Sequence, residues 1–258
     1  MRKIILTLLL LLPINTVFAA EPIEIEAAGS LIWQQSDKTY RAVGDATAVR
    51  GKLQIRADEL IAHYIDTNGK NEIQLLEAKG NVQMNNDGNL ASGPYGSYDA
   101  NSGNVILRGA DLKLIATNGD TLTAQQEIQF NDKTGKSSAT GAPFLARADR
   151  TLAAEKIDAQ FIRDANGGWV LQNATANQNV IITTGIGTAE PSIASGSQGF
   201  YDAGRGSALL TGDVRIKKGQ NQLNGQRAEI DLNSGIAKLL PDIGGGKPGR
   251  VKALLYQK

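Results

Sequence analysis

Residues able to do chemistry are few in this chain of 258, and each fails on spacing. His63 is the only histidine and there is no cysteine, so a zinc site or a histidine-dependent triad lacks its partners. His63 reads as a strand residue facing water beside Tyr64. Asp58 and Glu59 could divide acid and base roles, but neighbouring strand residues point to opposite faces. The loops "DTNGKNE" (Asp66 to Glu72) and "NNDGN" (Asn85 to Asn89) faintly resemble calcium-loop spacing. Neither carries the regularly spaced carboxylates that six or seven oxygen ligands need. "GGGKPGR" lacks the Gly-Lys-Ser/Thr ending of a phosphate loop. With no catalytic constellation, nucleotide site or cofactor motif, the chain reads as a binder, carrier or scaffold rather than an enzyme.

The elements that would position a binding surface are repeats. "ASGPYGSYDANSG" at 91–103 returns as "ASGSQGFYDAGRG" at 194–206, in one register without a gap. A large apolar residue is followed five positions later by glycine at Tyr64/Gly69, Tyr98/Gly103, Phe130/Gly135, Tyr201/Gly206 and Ile230/Gly235, and six later at Phe161/Gly167. Asp, Asn, Ser and Thr fill the interval. Their side chains cap turns and the closing glycine accepts positive φ, so each cassette predicts a hairpin. About six residues on, a second glycine or its stand-in (Gly109, Gly141, Gly212, Asn173) predicts a kink between two strands.

Alternation in "LQIRA", "DLKLI", "DVRIK" and "EIQF" is the period-two mark of strands with one buried face. "RADELIAHYI" and "AAEKIDAQFI" could form short amphipathic helices, but their place just upstream of a turn favours strand. Such units bury an apolar face only against a facing layer, which predicts an all-β fold of two twisted antiparallel sheets, packed face to face or folded into a V. Eight to ten strands per sheet at about 4.8 Å spacing would give roughly 40 to 50 Å.

The N-terminus "MRKIILTLLLLLPINTVFAA" has the basic start, short apolar run and small-residue site of a cleaved signal. Its cleavage would leave 25 of the 27 basic residues against 26 acidic ones, a net charge of about −1. An uncleaved anchor is the alternative. The balanced charge, without a basic stripe, argues against nucleic acid as partner. The division expected is a signal over 1–19, a β domain over 20–240 and a Gly/Pro-rich tail over 241–258.

The strings "AVGDATAVRGKLQIRADELIAHY" (Ala42 to Tyr64), "AKGNVQM" (Ala78 to Met84), "ASGPYGSYDANSGNVILRGADLKL" (Ala91 to Leu114) and "LLTGDVRIKKGQNQLNGQRAEIDLNSG" (Leu209 to Gly235) resemble the OstA-like/LptA family of periplasmic lipopolysaccharide-transport proteins. The resemblance implies an elongated semi-closed antiparallel β-jellyroll whose interior binds lipopolysaccharide acyl chains. It also implies head-to-tail self-association in a bridge that assembles the outer membrane, between an inner-membrane anchored relative and an outer-membrane translocon. On that picture the groove candidates are Leu53, Ile55, Leu60, Val82, Met84, Val105, Leu107, Leu112, Leu114, Ile128 and Phe130. Each reads equally well as plain core, and an exported scaffold with a dry core is the rival function. The chain departs from shorter members in its extra repeats and in the insert "TTGIGTAEP" (Thr183 to Pro191).

Overall fold

A computed structural model describes residues 22–241 and 251–254; the expected signal segment lies outside them. The first module's strands are β1 (Glu24–Glu26), β2 (Ser30–Gln34), β3 (Thr39–Arg50), β4 (Leu53–Thr67), β5 (Lys70–Asn86), β6 (Asn89–Asp99), β7 (Asn104–Arg108), β8 (Leu112–Ile115), β9 (Thr121–Ala124) and β10 (Glu127–Asn131). There follow β11 (Lys136–Thr140), β12 (Phe144–Arg147), β13 (Arg150–Ala153), β14 (Lys156–Arg163), β15 (Trp169–Thr184), β16 (Ser192–Asp202), β17 (Ser207–Lys218), β18 (Asn221–Asp231), β19 (Ala237–Leu240) and β20 (Lys252–Leu254). All belong to one hydrogen-bonded antiparallel sheet of 20 strands. The two stretches with helical potential are strand, in β4 and β14. The last strand lies in the segment read as a tail, where Lys252–Leu254 pairs with Asn224–Gln222 of β18.

The sheet folds along a line because the strands bend at mid-length. Register breaks fall between Val43 and Ala46, Lys79 and Val82, Asn177 and Val180, Ser195 and Gln198, and Thr211 and Val214. At alternate crossings two nearby residues take positive φ: Gly44 and Asp45, Gly80 and Asn81, Gly109 and Asp111, Gly141 and Ala142, Gln178 and Asn179, Gly212 and Asp213. Glycine, Asn and Asp reach this region at least cost. Except at Ala142, the polar second residue then bonds the neighbouring strand at the same corner. Arg56 Nη2 donates to Asp45 at 2.7 Å, Asn81 to Asp58 at 2.9 Å, Asn179 to Glu155 at 3.1 Å, Gln125 to Asp111 and Gln226 to Asp213, both at 3.3 Å. The kinks expected at Gly109, Gly141 and Gly212 are therefore present. The one expected at Asn173 is not a corner: Asn173 pairs with Gln160 and Asp202 beside a register shift at Gln172, and the positive-φ pair waits until Gln178 and Asn179, where the neighbouring strands turn.

All six cassettes are hairpins on the free edge of one half, here the cassette half-sheet. Asp99 Oδ1 accepts from the amides of Asn101 and Ser102, Asn131 from Lys133 and Thr134, and Asp231 from Asn233 and Ser234. Asp66, Asp164 and Asp202 cap the others. These amides, Ser102 first, hold the Asp99 carboxyl below its ordinary 3.8, and those of Ser234 and Asn233 do the same for Asp231. The repeated phrase is thus one strand, its corner and its capped turn, used as β6 and again as β16.

Pairing makes the stack longer than strand counting suggested. In the cassette half one inward line runs Leu31, Ala42, Leu60, Ala78, Gly96, Leu107, Ile128, Ala139, Ile157, Ala176, Gly199, Leu210, Ala228, Leu239. In the facing half another runs Ile25, Ala48, Ile55, Met84, Ala91, Leu114, Leu122, Leu145, Leu152, Ile182, Ala194, Ile216, Leu223, Ala253. Each line holds fourteen residues, not eight to ten, because a strand that crosses the corner counts once in each half. Thirteen steps of about 4.8 Å give roughly 60 Å.

Candidate functional site

The candidate site is the space between these two lines, and no polar side chain interrupts either. Large and small residues alternate across the register, as at Ala42/Leu60/Ala78 and Leu210/Ala228/Leu239, so side chains of opposite walls interdigitate. A side chain added at Gly96, in the cassette half, would strike Met84 Cε and Val82 of the facing half.

Every groove candidate points into this space. Leu60, Leu107 and Ile128 lie in the cassette-half line, with Val105 and Phe130 one step nearer the hairpins. Ile55, Met84 and Leu114 lie in the facing line, Val82 and Leu112 nearer the corner, and Leu53 nearer the rim. Leu60 and Leu112 are wholly enclosed, whereas Leu53, Val105, Leu114 and Phe130 are half-buried. The candidates stop at residue 130, but the lining does not. Ile157, Val180, Ile182, Leu210, Val214, Ile216 and Ile230 build a second apolar cluster, and Leu210 occupies in the second copy of the phrase's neighbourhood the place of Leu107, 103 residues earlier.

Aromatic residues sit toward the cassette hairpins. Tyr40 lies 5.0 Å from Tyr64 and 5.8 Å from Trp33. Phe130 meets Phe161 and Trp169 edge-on at 6.0 and 5.4 Å, between the two clusters. At the mouth Arg50 of the facing half donates to the hydroxyl of Tyr98 in the cassette half at 3.3 Å, and that hydroxyl donates to Asp132 Oδ2 at 3.3 Å. Burial, reinforced by the Asp132 charge, pushes the Tyr98 phenol above its ordinary value. Nothing in the sequence signals this contact, since 48 residues separate Arg50 from Tyr98.

The residues first considered for chemistry are engaged elsewhere. His63 Nε2 lies 2.9 Å from Glu77 Oε2 on the outer face. Asp58 accepts from Asn81, while Glu59 pairs with Arg41, so the two carboxylates serve separate contacts. A concavity of about 590 Å³ opens on the outside of the cassette half, lined by polar residues such as Asn104, Gln129, Asn131, Ser138 and Asn173. Such a lining does not suit an apolar ligand.

Among curated proteins none matches the chain. One solved structure similar to it is "LptH, the LptA homologous periplasmic component of the conserved lipopolysaccharide transport device from Pseudomonas aeruginosa", at 14% identity and a TM-score of 0.46, covering 54% of this chain and 95% of that one. The family model described as "LptA/(LptD N-terminal domain) LPS transport protein" matches twice in tandem, over residues 24–136 and 121–236. The two matches follow the two apolar clusters, whose buried members run from Ala42 to Ala139 and from Ala154 to Ile230. With nearly all of the described sheet inside those matches, the chain belongs to the LptA and LptD N-terminal-domain family of lipopolysaccharide-transport proteins.

Proposed function

We propose that this protein is a periplasmic carrier of lipopolysaccharide that shields acyl chains between its two half-sheets and forms part of the bridge to the outer membrane. The observation that carries the reading is the pair of unbroken apolar lines, running the whole stack without a polar side chain. Each methylene taken from water contributes about 0.8 kcal/mol and needs little directional contact, so aliphatic walls suit acyl tails. The family's described role in lipopolysaccharide transport supports this, and the export-signal pattern at the start of the chain supports the compartment. On this reading residues 1–19 are a removed export signal and 20–240 the carrier domain, with 241–258 a C-terminal extension whose strand β20 adds to the stack.

The stack's ends support assembly in series. Strand β2 is exposed throughout, with Leu31 57% and Trp33 53% accessible, and Ile236 beside β19 is 66% accessible. Open apolar edges favour continuation by another sheet. An inner-membrane anchored relative, a second copy and an outer-membrane translocon domain are the partners that fit. The chain holds no nucleotide motif, so the energy for movement would come from an ATPase elsewhere.

The tight enclosure of Leu60 and Leu112 favours a second reading, a scaffold with a dry core. Photo-crosslinking separates the two. With a photoreactive residue at Leu60 or Leu210, cells should yield lipopolysaccharide adducts, while the outward-facing Phe200 should not. Adducts at neither inward position, in protein that is folded and exported, would leave only the scaffold.

A further inference from the structure

The rim of the facing half-sheet changes character one step beyond its apolar line. There the inward positions include Arg50, Arg147, Arg150 and Lys218, and the carboxylate of that step, Asp120 on β9's flank, is taken by Arg147. Arg147 and Arg150 have acidic neighbours at 3.4 Å. Among the described residues Arg50 and Lys218 join no ion pair.

Arg50 is the member that crosses the mouth. It spends one of its five donors on the Tyr98 hydroxyl, at 3.3 Å, and its guanidinium carbon stands 5.9 Å from that ring's centre. Beyond the phenol lies Asp132, whose Oδ1 is buried and accepts no hydrogen bond. A cation and an anion therefore face each other across a neutral hydroxyl through two long hydrogen bonds, and neither has its preferred partner. An arginine with spare donors at the edge of an apolar trough fits the planar, bidentate geometry of a phosphate.

From this arrangement we infer that the facing rim is an anion rail with Arg50 as its clasp. An amphiphile whose tail enters between the walls presents a phosphate head to Arg50, which leaves Tyr98 and so opens the mouth at that level. Lys218 repeats the contact in the second module. The inference rests on the carrier reading and adds to it the residues that read the head group.

The full chain carrying a photoreactive residue at Leu60 is titrated with phosphorylated lipid A and with the same lipid dephosphorylated. The unaltered rim should capture the phosphorylated form at a concentration at least about tenfold lower, the scale of a charge-assisted hydrogen bond. Arg50→Gln should shrink that ratio to within about twofold while leaving capture of the dephosphorylated form unchanged or improved. Tyr98→Phe, which keeps the charge and loosens the clasp, should improve capture of both. Thermal melts establish folding of each variant first. Should Arg50→Gln not fold, Lys218→Gln with the photoreactive residue at Leu210 reads the same ratio in the second module. Equal capture of both lipids by the unaltered rim, or a ratio unmoved in the variants, overturns the rail and leaves the carrier. Capture of neither lipid overturns the carrier and the rail with it.

Discussion

Gly93 and Leu112, neighbours on the paired strands β6 and β8 of the facing half beside the corner, offer a test of how tightly the lining packs there. A Cβ built on Gly93 lies 2.6 Å from Leu112 Cδ2, yet the Gly93 backbone is not in the positive-φ region. Alanine there suffers no backbone strain, and on strand entropy alone it should stabilise by roughly 0.5–1 kcal/mol. The clash should reverse that sign: overpacking typically costs about 1–3 kcal/mol. Leu112 is wholly enclosed, so Leu112→Ala should cost about 2–5 kcal/mol. In that background the added methyl at Gly93 enters the vacated space. Gly93→Ala should therefore destabilise the natural chain and stabilise Leu112→Ala, with a coupling of about 1–3 kcal/mol. Urea unfolding of the four proteins, followed by far-ultraviolet circular dichroism with the slope checked for constancy, gives the cycle. The same sign for Gly93→Ala in both backgrounds would refute the packing argument.

Other expectations follow from the turns, the charges and the copy of the phrase. Gly135 has φ 70° and a side chain there would meet the Phe161 carbonyl and the Trp169 ring, whereas Gly69, at φ 79°, has open space around it. Gly69→Ala should cost about 1–2 kcal/mol and Gly135→Ala clearly more, as read from denaturation midpoints. Burial pushes Glu77 up, but hydrogen bonds from His63 and Tyr95, with Lys79, outweigh it and hold the carboxyl below its ordinary 4.5. Its contribution is thus fully present above that value and lost as pH falls through the lower folded one. Melting midpoints should drop across that window, and less steeply in Glu77→Gln. Asp99→Ala removes the oxygen that accepts from two amides of one cassette and should speed hydrogen exchange in the β6–β7 hairpin while leaving the β16–β17 hairpin at its original rate.

The cassettes are legible because Asp or Asn followed by a positive-φ glycine is a local signal, read within six residues. Inward alternation is legible for the same reason, and all the named groove candidates point inward. Asn173 misleads as a corner because a bend is set by the neighbouring strands: Gln178 and Asn179 carry no motif beyond Asn's tolerance for that conformation. The expected strand count falls short because strands that bend look like single segments. The second module's lining, such as Leu210 and Val214, stands in the sequence only through the repeat, which the groove candidates up to residue 130 do not follow. Arg50 and Tyr98 are beyond reach, since a meeting across two walls depends on how far those walls fold together.

Strands that continue through the corner also limit how the molecule can deform. Neither wall can slide past its partner or lift away as a plate, because β3 to β6 and β15 to β18 are each covalently part of both. What remains is rotation about the corner, like the pages of a book about its spine. Since hydrogen bonds tie each strand to the next within a page, widening at one level obliges the adjoining levels to widen by nearly as much, so a gap would travel along the stack as a bulge travels along a hose.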